Sequence, residues 1–148
     1  MKFIRYQENL RDKKILLRLD LNVPIKNGII KDETRINKIL PIINFLLKKK
    51  SKILIISHIG RPNGKKEESL SLKPICENLK TKLNQDIRLI KKDIFELKKE
   101  DLFKDTKYQI IVLENIRFYG EEEKNDDNFS KHLACLLYTS DAADDVAS

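Results

Sequence analysis

The 148-residue chain has no tryptophan, two cysteines and two histidines. Cys76 and Cys135 stand far apart, and His58 and His132 add no metal-ligand spacing, so the sequence shows neither a disulfide framework nor a zinc site. A reducing, cytoplasmic setting is expected. No charged stretch leads into an apolar one at the N-terminus, and no uninterrupted apolar run approaches the roughly 18 residues of a membrane span. A soluble protein, neither exported nor membrane-bound, is therefore expected. Aromatic residues make up 7% of the chain and do not alternate with basic ones as a base-stacking platform would. That weighs against a non-catalytic nucleic-acid- or anion-binding module, the rival raised by a net charge of +7.

What is present is a chain long enough for one domain, which buries roughly 68–70% of its unfolded surface at this size. Its positive charge comes mostly from 23 lysines spread along the sequence, against only 7 arginines. In a chain that defaults to lysine, Arg35, Arg61 and Arg117 each sit beside a candidate ligand loop. Lysine cannot reproduce the planar, bidentate fork of guanidinium.

Short apolar runs alternate with longer amphipathic ones, the pattern of βαβ units and a parallel sheet. Lys14 to Leu21, Lys52 to Ile56, Ile87 to Ile90 and Gln109 to Leu113 read as strands. Asn27-Gly28 marks a turn. Asp32 is placed to cap a helix through Ile36, Ile39, Leu40, Ile43, Leu46 and Leu47, with Pro41 a point of kinking. A second helix fits Leu72 to Leu83 with Pro74 in its first turn, a weaker one Ile94 to Phe103, and a last one Asp126 to Leu137. No repeat and no interdomain linker is seen. From Tyr138 the residues become small and acidic, without strand alternation.

Four clusters fall at element ends. Asp20-Leu21-Asn22-Val23-Pro24 closes the first strand, and residues two apart on an extended chain point the same way, so Asp20 and Asn22 can grip one hydroxylated ligand. Taken alone, the cluster reads first as turn chemistry. Arg35, in the first turn of a helix, opposes the helix dipole unless an anion shares the site, and alone reads as a solvated side chain. Ser57-His58-Ile59-Gly60-Arg61-Pro62 follows an apolar strand, where open α/β sheets bind ligands. There Gly60 admits close backbone approach, Arg61 offers its fork, and His58 is either a phosphate donor or a loop histidine satisfied by backbone. Glu114-Asn115-Ile116-Arg117-Phe118 follows another buried strand, and its Arg117 pairs either with an anionic ligand or with Glu121 or Glu122. Together the clusters suit a small, polyanionic, hydroxylated metabolite, and they contain no Ser-His-Asp triad, thiolate nucleophile or metal cage.

Leu17 to Pro24, Asp32 to Ile36, Ser57 to Pro62 and Glu114 to Phe118 resemble, in order and approximate spacing, the N-terminal motifs of the phosphoglycerate kinase family, and Glu121 to Asn125 continues the likeness. The resemblance covers roughly Lys13 to Leu136. It implies a three-layer, doubly wound, Rossmann-like parallel sheet with helices on both faces, here an incomplete N-terminal domain over residues 1–137. It implies reversible phosphoryl transfer in glycolysis between 1,3-bisphosphoglycerate and ADP, giving 3-phosphoglycerate and ATP, by a monomer that needs neither nucleic acid nor membrane. Asp20, Leu21 and Asn22 would then bind the hydroxyl and carboxyl end of the substrate. His58, Ile59, Gly60, Arg61 and Arg117 would bind its 3-phosphate, and Arg35 would be catalytic, stabilising the phosphoryl group in flight. Mg-ATP or Mg-ADP would bind a second domain that this chain does not carry, leaving the glycerate-binding half inactive alone. The family continues after the last helix into a strand and an Asn-Asp-Ala-Phe-Gly segment, where this chain has Tyr138-Thr139-Ser140-Asp141. Residues 138–148 are accordingly expected to be an atypical tail outside the native fold. Gly120 also replaces a frequent proline of the family.

Overall fold

The structure is a computed structural model that describes residues 9–57, 70–92, 96–105 and 107–114, together with the backbone of 143–145. The first strand, β1 (Lys14–Arg18), alternates half-buried and buried residues, so Ile15 and Leu17 face one side of the sheet while Leu16 faces the other. It ends three residues sooner than the apolar pattern suggested, although Leu19 N–H still reaches the Ile56 carbonyl at 3.0 Å. A two-residue hairpin follows, β2 (Ile25–Lys26) and β3 (Ile29–Ile30), turning at Asn27-Gly28. Both turn residues have positive φ, 53° and 76°, as the tight hairpin turn requires.

Helix α1 (Thr34–Lys48) runs on through Pro41, which lies on its exposed face, while Ile36, Ile39, Ile43, Leu46 and Leu47 form the buried stripe. Next come β4 (Lys52–Ile56), α2 (Lys73–Leu83) and β5 (Ile87–Ile90). Asn84, left-handed at φ 52°, closes α2 by donating its N–H to the Lys80 carbonyl. Of the weaker third helix, expected over Ile94 to Phe103, the described residues hold a single turn, α3 (Lys99–Leu102), while 94–95 lie outside them. Its start is fixed by Asp101, whose Oδ2 accepts the Lys98 N–H at 3.1 Å. Strand β6 (Ile110–Leu113) is buried at all four positions. The helix expected over Asp126 to Leu137 lies outside the described residues.

All pairings in the main sheet are parallel, in the order β5-β6-β4-β1 and then β7 (Ala143–Asp145). This last strand falls within the tail, at 143–145. A three-residue rung along β1 needs only backbone donors and acceptors, which no apolar alternation announces.

The period of two divides the core. Ile15, Leu17, Ile53, Ile55, Ile110 and Val112 pack beneath α1 and α2, while Leu54, Ile56, Ile111 and Leu113 pack with Leu97 and Leu102 on the opposite face. An α/β sheet covered on both faces is therefore present. Because the strands are parallel, the chain leaves β1, β4 and β6 along one edge, where Asp20, Ser57 and Glu114 gather. Among the described residues no helix is long and apolar enough to cross a membrane.

Candidate functional site

Beyond β1 the chain stays extended enough to keep its alternation: Leu19, Leu21 and Val23 are buried, while Asp20 and Asn22 lie on the accessible side. The two polar residues thus share a face, as their spacing implied. Leu21 reaches the site through its backbone only. Its side chain is fully buried, and its N–H donates to Ser57 Oγ at 3.0 Å.

Arg35, from the first turn of α1, completes the group. Its Nη1 donates to Asp20 Oδ1 at 2.8 Å and to the Asn22 carbonyl at 2.9 Å. Asp20 Oδ1 also accepts the Asn22 N–H at 3.3 Å. The anion that makes a cation tolerable at this helix start is therefore Asp20. The two side chains are about half exposed, 45% for Asp20 and 50% for Arg35, so the pair contributes at most about 1 kcal/mol to stability. Its effect is on orientation. Nη1 carries two hydrogens and both are used, which leaves Nε and Nη2 to offer a bidentate edge to an anion.

Two further contacts hold the start of α1. Asp32 Oδ1 accepts the Thr34 N–H at 2.9 Å and its hydroxyl at 2.6 Å, and these bonds hold the Asp32 carboxyl below its ordinary range. The helix cap itself is Glu33, one residue later than the sequence suggested, and its side chain bonds away from the helix end. Glu33 pairs with Lys82 of α2 and accepts from Asn78 Nδ2 at 3.4 Å, and its pKa is lowered chiefly by the Lys82 hydrogen bond. Lys82 also donates to Asn37 Oδ1 at 2.6 Å, so the start of α1 is tied to the end of α2. Asn78 Oδ1 is buried without a partner among the described residues.

The sequence reading gave no role to two polar residues that open its clusters. Ser57 and Glu114 are 1% and 5% exposed, and each directly follows a buried strand. Glu114 Oε1 accepts the Leu72 N–H at 2.8 Å and Oε2 the Ser71 hydroxyl at 2.6 Å, so a strand-end carboxylate seats the positive end of α2. The available signal was position: a polar residue at the carboxyl end of a fully apolar strand is buried by its neighbours. Burial, with Glu114 and Glu77 nearby, pushes the Cys76 thiol up to about 12, which makes it a poor nucleophile.

The structure thus brings together Asp20, Leu21, Asn22 and Arg35. His58, Ile59, Gly60, Arg61 and Arg117 lie outside the described residues, though Ser57 and Glu114 mark where their segments leave the sheet. Among the described residues no group of three or more His, Cys, Asp or Glu is placed to hold a metal ion.

Residues 6–144 match the family model for phosphoglycerate kinase. The chain is 42% identical over 137 residues to the phosphoglycerate kinase of Dictyoglomus turgidum, covering 91% of this chain and 34% of that one. It is 45% identical over 136 residues to that of Wolbachia pipientis subsp. Culex pipiens, covering 90% and 34%. Among solved structures, phosphoglycerate kinase from Coxiella burnetii superposes with a TM-score of 0.73 at 35% identity, covering 86% of this chain and 31% of that one. The enzyme from Pyrococcus horikoshii gives 0.77 at 28% identity, covering 98% and 36%. The chain spans about a third of the length of the relatives it matches.

Proposed function

The chain belongs to the phosphoglycerate kinase family, and from that premise we propose that it forms the glycerate-binding part of a glycolytic, cytoplasmic phosphotransferase. The reaction is reversible transfer of a phosphoryl group between the acyl phosphate of 1,3-bisphosphoglycerate and ADP, giving 3-phosphoglycerate and ATP. The observation that carries the assignment to this site is Arg35, held on one nitrogen by Asp20 and Asn22, with its other edge unpaired among the described residues at the carboxyl end of the sheet.

Each residue has a proposed part. Asn22 and Asp20 receive the hydroxyl and carboxyl end of the glycerate. His58, Arg61 and Arg117, with the main chain at Ile59 and Gly60, take the 3-phosphate. Arg35 sits at the reacting end, where its free edge neutralises charge on the phosphoryl oxygens. No general base is required. As the acyl phosphate is cleaved, the electron pair of the P–O bond leaves on a carboxylate, and in reverse an already ionised carboxylate attacks phosphorus. Positioning and charge neutralisation therefore carry the acceleration. A Mg²⁺-nucleotide supplies the other reactant, but the described residues offer it no ligand cluster. No part of its site is assigned to this chain, which is proposed to be inactive alone. The domain is proposed to span residues 1–137, with the tail 138–148 outside the native fold although its residues 143–145 pair with β1.

Titration of the 148-residue chain tests the reading. 3-Phosphoglycerate should raise the melting temperature and shift the Asp20 and Asn22 amide resonances, whereas MgADP alone should do neither. At a hundredfold excess over Kd the stabilisation should be about 2.7 kcal/mol. Arg35→Lys should weaken binding, because an ammonium cannot hold Asp20 and the Asn22 carbonyl while presenting a second flat edge. Stabilisation by MgADP alone, or a folded chain indifferent to 3-phosphoglycerate, would overturn it.

A further inference from the structure

In the parallel ladder between β1 and β4, Leu17 is paired with Ile55 and Arg18 with Ile56, and the Leu19 N–H bonds the Ile56 carbonyl at 3.0 Å. Parallel rungs repeat every two residues, so the next N–H in line is that of Leu21, and it donates to a side chain, Ser57 Oγ, at 3.0 Å. Ser57 is 1% exposed, so this bond is made out of water.

We infer that Ser57 is a positioning residue of the candidate site: its buried hydroxyl accepts the Leu21 N–H and so fixes the 20–22 segment that orients Arg35. Leu21 is the residue between Asp20 and Asn22, and those two flanking residues supply both acceptors on Arg35 Nη1. A bond buried beneath the site thereby sets the direction of a guanidinium that it does not touch.

The functional consequence rests on the reading of 3-phosphoglycerate as ligand, so the test separates the two. Ser57→Ala, Ser57→Cys and Ser57→Thr are compared with the parent 148-residue chain by amide hydrogen exchange and by the Arg35 side-chain N–H resonances, both without ligand. Titration with 3-phosphoglycerate then follows. Without a strong acceptor, Ala and Cys should speed Leu21 exchange at least tenfold relative to the Ile15 and Ile53 amides and shift the Arg35 resonances. They should also weaken 3-phosphoglycerate binding by roughly ten- to a hundredfold, the scale set by a misplaced ligand group. Thr keeps the hydroxyl and should restore all three, which a role in stability alone does not require. If the parent chain ignores 3-phosphoglycerate while Leu21 and Arg35 respond as stated, the ligand assignment fails and the positioning role stands. If Leu21 exchange and the Arg35 resonances are unchanged in the folded Ala or Cys variant, or if affinity stays within twofold of a parent that binds, the inference is overturned. Should Ala fail to fold, the Cys and Thr pair decides on the same criteria.

Discussion

Glu114→Ala removes a buried carboxylate that holds two groups of a neighbouring element. Glu114 is 5% exposed, and its oxygens accept from the Ser71 hydroxyl at 2.6 Å and the Leu72 N–H at 2.8 Å. Ser71 Oγ in turn accepts the Lys73 N–H at 3.1 Å, so the first turn of α2 depends on this one side chain. Hydrogen bonds to a charged group are each worth about 1.5–3 kcal/mol, and the donors left behind are buried. Against that stands the desolvation penalty of the carboxylate itself, which the substitution relieves. The net cost of Glu114→Ala should be about 3–4 kcal/mol, a large share of the 5–15 kcal/mol typical of a domain. Glu114→Gln keeps an acceptor for Leu72 and turns its amide to donate to Ser71 Oγ, losing the charge and the acceptor of the Ser71 hydroxyl, and should cost about 1–2 kcal/mol. Urea denaturation followed by circular dichroism measures both, and a double-mutant cycle with Ser71→Ala should give a coupling of about 1 kcal/mol or more. An Ala variant within 1 kcal/mol of the parent, or a Gln variant as unstable as Ala, would refute the view that this carboxylate seats the helix.

Three other outcomes are expected. Burial raises the Cys76 pKa from 9.0 to about 12, so the folded state favours the thiol; the stability this contributes is complete below about pH 9 and is lost as pH rises toward 12. Cys76→Ala should therefore flatten the alkaline limb of a stability profile, and peptide mapping at pH 8 should find Cys76 alkylated only in urea. Asp32 and Glu33 have lowered pKa values, so their contributions are present above the ordinary carboxylate range and disappear as pH falls through the lowered values. Glu33→Gln or Asp32→Asn should remove part of the acid-side slope in denaturation series. Pro41 lies on the exposed face inside α1 and gives the Asn37 carbonyl no N–H, so Pro41→Ala should stabilise by about 1–2 kcal/mol after the entropy gained by the unfolded chain is deducted; a loss in the melting experiment counts against it.

Much of this protein was legible in its sequence because the signals are local. Apolar runs such as Ile53 to Ile56 and Ile110 to Leu113 form strands, since only a sheet covered on both faces accommodates them. The three- and four-residue spacing from Ile36 to Leu47 makes a helix with one buried face, and Asn27-Gly28 makes a turn. The pairing of Asp20 with Asn22 on one face followed from extended geometry, and the family itself was carried by four ordered motifs. The differences are also local in origin. From residue 96 on, the helix expected to run to Phe103 is one turn because Asp101 caps it late, and β7 pairs from a segment with no apolar pattern because an edge rung needs backbone alone.

What the tertiary structure decided are relations between residues far apart in the chain. No spacing rule brings Arg35 to Asp20, Leu21 to Ser57 or Leu72 to Glu114, separations of 15, 36 and 42 residues. Those bonds exist because parallel pairing brings the ends of β1, β4 and β6 to one edge and sets α1 and α2 on one face. The sequence by itself determined which residues carry charge and which face is apolar. The fold determined which charge meets which donor, because hydrogen bonds act over about 3 Å and only packing brings distant positions that close.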